Sequence, residues 1–578
     1  MDDTTASTQP TIDKEAIDKV WTEEEQIAYR VEQYRSGAFE YQRRRHEDWR
    51  ENYGLYRDKV VTNRLIQRQS VNVPLMKETI RTSLAKTDEF IDVYFENLSG
   101  NKQKEIFINA YWEDFYKKDN LEVKDVVDKK QQALYGRSTM KLNILDGRPS
   151  SEVLEAYDWL CDRYTDPSDI DNTANYQGHI NNYKTISELE ANELFSRSGI
   201  EELKAFFSTD AGVQASAENA EALLDKNQRM MEMGDYQITN PEVGETYVDV
   251  SEHYLKLWDE KKKKIMITVQ VTAQGITLLS MQLEELLNIN FFPFVSWADD
   301  VERTDLYSDG LADIVRTPNK ILNSWFSQLV ENRALRNFGM HFYDSTQGNG
   351  QWIPQTYEPV PWGWYPTAGN PNDVTKQVEI PDLSESIDEM EYLRAMVERA
   401  TATTATEKGV NEDKDMTLGQ IKIMLANSNE RITSTAKFYR IARIQFAEKW
   451  YQLCIANEDK IDKVELFKKS SQGNYFSHEV GVGDFKDEKG YRCKVVSTAE
   501  REQKNIESVQ KLQAVSQMFE GNMPLKKILQ KKALDLVDLS SDEIKEVLDF
   551  EDKKPQLMPQ DGLVPSPLST AKPKVPMI

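Results

Sequence analysis

Little in this chain of 578 residues invites covalent or metal chemistry. Its three cysteines, Cys161, Cys454 and Cys493, stand far apart with no CxxC pair. They predict isolated thiols, neither a disulfide frame nor a zinc site. The five histidines, His46, His179, His253, His341 and His478, are equally scattered, so no metal and no cofactor is expected. No G-x-x-x-x-G-K-[ST] loop is present, so ATP hydrolysis is not expected. No run of eighteen apolar residues occurs, so no membrane span is expected. The first residues, MDDTTASTQPTIDKEAIDKVW, lack a basic start and an apolar stretch, which predicts no secretory signal and a cytosol-like compartment. Positive charge is also short: 72 Lys and Arg face 97 Asp and Glu, a net −25. Such a chain does not grip DNA by neutralising phosphates, although it suits a surface that DNA passes without adhering. With 39% hydrophobic residues there is ample material for a core.

What is present is mostly helical. After a polar stretch over residues 1–20, a helix runs from Trp21 to Tyr56, with Arg43, Arg44, Arg45, Arg50 and Arg57 beside Trp49, Tyr53 and Tyr56 at i, i+4 and i+7. Basic residues interleaved with aromatics can bind nucleic acid. Glu47, Asp48 and Glu51 in the same stretch favour a solvated, ion-paired face. Pro74 predicts a helix start, with helix from Val71 to Phe95, and further helices follow at Lys102–Phe115 and Leu121–Tyr135. Gly136 ends the last of these, and Ser138–Ile144 alternates as a strand.

Tyr157–Ile170 reads as a strand and turn, and Gln177–Tyr183 as the returning strand. Asp162, Asp166, Asp169 and Asp171 raise a calcium site, but their spacing is not that of an EF-hand, and Asp-Pro-Ser-Asp is natural turn chemistry. Residues 200–245 predict polar surface helices. From Gly244 to Glu285 the pattern is β, with Lys261–Lys264 as the wet end of a hairpin, and Phe291–Asp300 is an apolar strand.

The stretch from Tyr307 to Ala456 carries the functional argument. Thr317 and Pro318 look like an N-cap and first helical position, after which Ile321, Leu322, Trp325, Phe326, Leu329 and Val330 form an apolar stripe to about Asn337. Phe338–Pro381 is rich in Pro, Gly and Trp, with turns at STQGNGQ, EPVPWGWYP and AGNPND and strands at Gln351–Ile353 and Lys376–Ile380. A lobe this small buries few of Trp352, Trp362, Trp364 and Tyr365, so at least one tryptophan is expected to meet another subunit. Asp382 with Glu385 has the form of a capping box, as does Thr417 with Gln420. Between their helices Thr403–Met416 is a polar loop carrying Lys408 and Lys414, which either contact a polyanion or are simply solvated. Asp382–Met416 holds ten acidic and four basic residues, a balance of −6. A short β segment is expected at Phe476–Val496, then helices at Thr498–Phe519 and Ser541–Phe550, and a tail with six prolines from Lys553. Helix, compact aromatic lobe, helix, polar loop, helix is the plan of an assembly part with a lobe on a stalk, more than of a catalyst.

In its order of segments the chain resembles the portal proteins, or head–tail connectors, of tailed double-stranded DNA bacteriophages. The carrying segments are YRSGAFEYQRRRHEDWRENYGLY, YDWLCDRYTDPSDIDNTANYQGHINNYKTISEL and FPFVSWADDVERTDLYSDGLADIVRTPNKILNSWFSQLVENRALRN, together with ATATTATEKGVNEDKDMTLGQIKIMLANSNERI. The resemblance spans roughly Trp21 to Phe550 and implies an α+β, mainly helical fold that assembles as a ring of about twelve copies.

Carried onto this chain, the resemblance implies a wing over 21–305 and a first stem helix over 306–337, packed through Trp325, Phe326 and Leu329. It implies a clip over 338–381 that meets partners through Trp352, Trp362, Trp364 and Tyr365, a second stem helix over 382–402, and a tunnel loop over 403–416 that presents Lys408 and Lys414 to DNA. A long wing helix with a β segment would follow over 417–497, then a helical crown over 498–552 and a flexible tail over 553–578. Implied partners are double-stranded DNA, the terminase large subunit, adaptor, head-completion or tail proteins, and the major capsid and scaffolding proteins. The implied location is the portal vertex of the virion, after assembly in the host cytoplasm. The alternatives are a non-ring scaffold or minor capsid component, and a metal-dependent nuclease using carboxylates near Asp166 or Asp299 and Asp300.

Overall fold

The computed structural model describes residues 22–59, 71–87, 91–233, 244–337, 341–344, 364–367, 369–370, 372, 385–401, 418–469 and 475–497. Helices and small sheets alternate through them, an α+β arrangement. In chain order the elements are α1 (Glu23–Tyr56), α2 (Leu75–Thr87), β1 (Ile91–Asn97), α3 (Lys102–Lys118), α4 (Leu121–Tyr135), β2 (Ser138–Leu145), β3 (Arg148–Leu154) and β4 (Trp159–Cys161). Then come α5 (Ile170–Thr173), β5 (Tyr176–Thr185), α6 (Ile186–Ala191), α7 (Arg197–Phe207), α8 (Asp210–Met233), β6 (Tyr247–Asp259), β7 (Lys264–Ala273), β8 (Ile276–Gln282), α9 (Leu283–Leu287) and β9 (Phe294–Trp297). The last are α10 (Leu311–Asn337), β10 (His341–Asp344), β11 (Trp364–Thr367), α11 (Glu385–Thr401), α12 (Leu418–Ala456), β12 (Val464–Lys469), β13 (Tyr475–Val480), α13 (Val482–Phe485) and β14 (Tyr491–Ser497).

The chain divides into two compact units. The larger runs to Leu466 and resumes at Glu479–Val496. The smaller, Phe467–His478 with the chain from Ser497 onward, contributes only parts of β12 and β13 and Ser497 to the described residues.

Within the larger unit, a five-stranded antiparallel sheet has the order β4-β5-β6-β7-β8, each strand beside its chain neighbour. A three-stranded sheet, β3-β2-β9, lies against α4 and α12. The main core joins both sheets to the helices, and one aromatic cluster within it surrounds Trp450 of α12. That ring, fully buried, meets Trp112 edge-on at 4.9 Å between centroids, with Phe115 at 5.5 Å and Phe95 at 5.7 Å. Truncating such a side chain costs about 3–5 kcal/mol. A smaller cluster of Val31, Ala38, Leu160, Tyr176, Ile180 and Leu255 seats the first half of α1 on the five-stranded sheet.

Several expectations hold closely. α1 starts at the capping box Thr22/Glu25, α4 spans Leu121–Tyr135, and Gly136 closes it at φ +84°, where only glycine is unstrained. All three cysteines are free and buried.

Five expectations are corrected. The helix from Leu75 stops at Thr87, and Ile91–Asn97 is a strand: Val93, Phe95 and Asn97 are buried while Tyr94 faces out, a period of two. β1 pairs with β14. On its other side Asn109 both accepts from the Phe95 N–H at 2.9 Å and donates to the Phe95 carbonyl at 3.0 Å. The strand β3 was not anticipated. The run from Lys264 divides into β7 and β8 because Gln274 and Gly275, at φ +50° and +82°, form a two-residue hairpin turn.

The helix expected from Thr317 begins at Leu311, with Pro318 inside it. Ala312 and Val315 are fully buried, so core packing outweighs the one backbone hydrogen bond that proline forgoes. Finally, part of EPVPWGWYP is extended: Trp364–Thr367 pairs parallel with His341–Asp344. Pro366 is tolerated because a two-stranded sheet leaves each strand one unpaired edge. The strands at Gln351–Ile353 and Lys376–Ile380, both capping boxes at 382 and 417, the loop 403–416 and the helices after Thr498 lie outside the described residues.

Candidate functional site

The best-built constellation outside the sheets is the root of α10, where α1, α4 and the turn Ser308–Gly310 meet. The local cause is a crossing of two glycines. A Cβ on Gly136 would lie 1.8 Å from the Ser308 carbonyl oxygen, and one on Gly310 would lie 2.7 Å from the Gly136 nitrogen. Backbone therefore passes backbone at a distance no other residue permits.

A charged zipper extends from that crossing. Asp313, whose side chain is buried, accepts from Arg45 at 2.9 Å, Arg316 at 3.1 Å, Asn52 at 3.0 Å and the Gly310 N–H at 2.9 Å. Arg45 also pairs with Asp309 at 2.8 Å and Asp48 at 3.5 Å. Burial alone would pull Arg45 down, but Asp313, Asp309 and Asp48 outweigh it and raise its pKa. One turn on, Arg316 pairs with Asp48 at 2.8 Å, and Lys320 reaches Glu51 at 2.5 Å. The ion-paired reading of α1 therefore holds for Arg45, and Trp49, Tyr53 and Tyr56 on that helix serve the core. Trp49 is fully buried and donates to the Tyr135 carbonyl at 3.1 Å. Arg57 likewise pairs with Glu232 at 2.6 Å. Behind the crossing, buried Arg137 donates to the Leu306 carbonyl at 2.7 Å, and burial lowers its pKa to about 10.

Higher on α10, Asn323 and Ser327 capture the extended chain before α2, accepting from the Val73 N–H at 2.7 Å and the Val71 N–H at 3.0 Å. α11 packs along α10, and Arg394 of α11 pairs with Glu78 of α2 at 2.9 Å. A cavity of about 110 Å³ lies among α2, α4, α10, α11, α12 and β9, with Lys129, Asp299, Thr401 and Tyr439 in its wall. Asp299 accepts from Gln132 and, at 3.4 Å, from Thr435. Its pKa is raised by burial.

On α12, Arg443 pairs with Asp125. Lys449 donates to Asp171 at 2.7 Å and to the carbonyls of Phe292 and Phe294 at 3.1 and 2.5 Å. That last contact explains the acidic turn. Asp171 answers Lys449, Asp169 caps α5 through the Asn172 N–H, Asp166 accepts from Ser168, and Asp162 accepts from the Tyr164 N–H. Local turn chemistry accounts for Asp162, Asp166 and Asp169, and the distant Lys449 for Asp171.

Trp325 and Leu329 are partly buried against the core, while Phe326 is more than a third exposed. Tyr365 is buried, and Trp364, next to it on β11, is 66% exposed. Trp352, Trp362, Lys408 and Lys414 lie outside the described residues. Sequence reasoning missed the glycine crossing and the Asp313 hub. The only available signal was a Gly at the end of each loop and matched opposite charges on α1 and α10.

The family model for the phage SU10 portal protein matches residues 57–474, well over half of the chain. The chain belongs to that family. It is thus a phage portal protein, a structural component of the phage, and the match takes in α4, α10, the cavity and the whole of α12, while α1 lies before it. Comparison with curated proteins returns no match. Among the described residues of this portal protein, no helix is long and apolar enough to cross a membrane, and no group of three or more His, Cys, Asp or Glu is arranged to hold a metal ion.

Proposed function

We propose that copies of this portal protein, about twelve, close into a ring at one capsid vertex of the virion. Genomic DNA is packaged through its channel by the terminase motor and later leaves by the same route. The observation that carries this reading is the family match over 57–474, which includes two packed helices, α10 and α11, separated in sequence by a segment rich in aromatic residues.

In this reading α10 and α11 are the stem, with Phe326 turned towards a neighbouring copy and Trp325 and Leu329 towards the chain's own core. Residues 338–381 are the clip, where Trp352, Trp362 and Trp364 meet adaptor, head-completion or tail proteins while Tyr365 supports them from inside. The loop 403–416 is the tunnel loop, and Lys408 and Lys414 touch passing DNA. Residues 21–305 with 417–497 form the wing, residues 498–552 the crown, and 553–578 a tail, with the major capsid and scaffolding proteins as outer partners. A channel must let phosphates slide. An acidic chain with sparse lysines binds them weakly, and the force comes from the terminase. Closed rings use head-to-tail interfaces, so each copy presents two different faces.

The deciding experiment is negative-stain imaging of the purified full chain with native mass measurement. A ring with an axial hole and a mass near twelve copies is expected. A stable monomer or a solid particle overturns the reading, and magnesium- or manganese-dependent DNA cleavage would restore the nuclease alternative.

A further inference from the structure

The two ends of strand β6 carry surfaces that complement each other. At one end is the β6–β7 turn. Trp258 and Ile265 face each other directly across the two strands, yet they are 62% and 56% exposed, as a cross-strand apolar pair seldom is. The turn just beyond them, Asp259–Lys264, has four lysines against two carboxylates, a local +2 in a chain of net −25.

The turn is also firmly built. Asp259 accepts from the Lys261 and Lys262 N–H groups at 2.8 and 3.0 Å, and Asn290 donates to the Ile265 carbonyl at 3.1 Å. Glu284 engages Lys262 and Lys264. Lys261 and Lys263 have no ion pair among the described residues. A rigid tryptophan–isoleucine pair beside lysines is the make-up of a binding hot spot more than of a solvated tip.

The other end of β6 bears α8. Ser216 accepts from the Tyr247 N–H at 3.0 Å, and Asn219 donates to the Tyr247 carbonyl at 3.0 Å, which fixes that helix beside the first residue of the strand. The outward side of α8 has two parallel lines. Val213, Leu224 and Met231 are exposed and fall within about 20° of one another on a helix of 100° per residue. Beside them run Glu218, Glu221 and Asp225, all exposed, with no lysine or arginine among the exposed residues of the helix. One surface is apolar and basic, the other apolar and acidic.

They do not serve each other within one chain, because the 13 residues of β6 put them about 40 Å apart. We propose that the Trp258–Ile265 turn of one copy docks on the α8 stripe of the next. Its indole lies against Leu224, midway along the apolar line from Val213 to Met231, while Lys261 and Lys263 face Glu218, Glu221 and Asp225. Different patches at opposite ends of one rigid strand are what a head-to-tail contact requires. The inference rests on the ring reading and supplies one of its interfaces.

The test uses the full chain and a short bifunctional thiol reagent on the pair Lys261→Cys and Glu221→Cys. In assembled particles a ladder of linked copies is expected, and neither single variant should give one. Trp258→Asp should lower the yield of rings at least tenfold while circular dichroism stays unchanged. Lys261→Glu with Lys263→Glu should also lower the yield, and adding Glu218→Lys with Glu221→Lys to the same chain should restore it. Normal rings from Trp258→Asp with no linked ladder would refute the docking and leave the ring reading intact. So would loss of assembly that the charge exchange fails to rescue, or rings that form normally but lose a different acidic partner. An unsubstituted chain that never leaves the monomer would refute both.

Discussion

The five-stranded sheet and the root of α10 solve opposite problems. In the sheet every strand pairs with its neighbour in sequence, through turns as short as Gln274–Gly275. At the root, contacts join distant parts of the chain: Arg45 to Asp313 across 268 residues, and Gly136 to Gly310. Their buried charges differ as well. The sheet interior holds His179 and His253, kept neutral by burial, together with Glu252, which pairs at 2.7 Å with Lys141 of β2. The three-stranded side that adjoins the root holds Asp128, whose pKa burial raises to about 6 and which accepts from the Trp297 indole at 2.8 Å. A region built locally tolerates local change. A region built by distant crossings does not.

The sharpest way to break this contrast is Gly310→Ala. The added methyl meets backbone on two sides, and the loss is expected to be about 4 kcal/mol or more, enough to abolish soluble expression or lower the denaturant midpoint severely. Gly275→Ala in the sheet turn has open space around its Cβ and only an unfavourable φ, so about 1 kcal/mol is expected. Equal midpoints for the two variants would erase the distinction.

Next in size is Asp313→Ala, which leaves Arg45 and Arg316 without their shared buried acceptor. About 3 kcal/mol is expected in equilibrium unfolding.

Acid should then separate the regions by sign. Burial, with Lys141 adding to it for His179 and Arg35 for His253, lowers the two folded pKa values to about 4 and about 3. The unfolded histidines therefore take up protons first, and the sheet loses stability as pH falls from about 6.5 towards 4. Asp128 is raised from 3.8 to about 6, so the fold around it binds the extra proton and gains stability as pH falls from about 6 to 3.8. Hydrogen exchange, corrected for intrinsic rate, should show protection falling in β5–β7 while it holds or rises in α4 and β9. His179→Gln should flatten the sheet's profile. Parallel losses in both regions would contradict the assignment. The smallest effect is Lys320→Ala: its side chain is half exposed, and a change of about 0.5 kcal/mol or less is expected in the same unfolding experiment.

The same contrast governs what could be read from the amino acids alone. Alternation and turn residues are local, so the lysine hairpin, α4 to the residue and, to within one residue of its end, the strand from Ser138 were all legible. Where tertiary packing overrides a local signal, reading failed. Pro318 looked like a helix start, yet the buried Ala312 and Val315 carry α10 back to Leu311. Phe95 continued a helical pattern, yet the strand pairing with β14 decides its state. The Asp313 hub draws on α1, α10 and the Gly310 backbone at once, and no spacing in one segment encodes that.

Pro318 has one more consequence. It removes the hydrogen bond to the Ile314 carbonyl between Arg316 and Lys320, both of which pair with α1. The one rung that α10 lacks is therefore splinted from outside, by carboxylates of α1 on either side of it. A load on the distal end of the helix reaches its root through that splint as well as through the backbone.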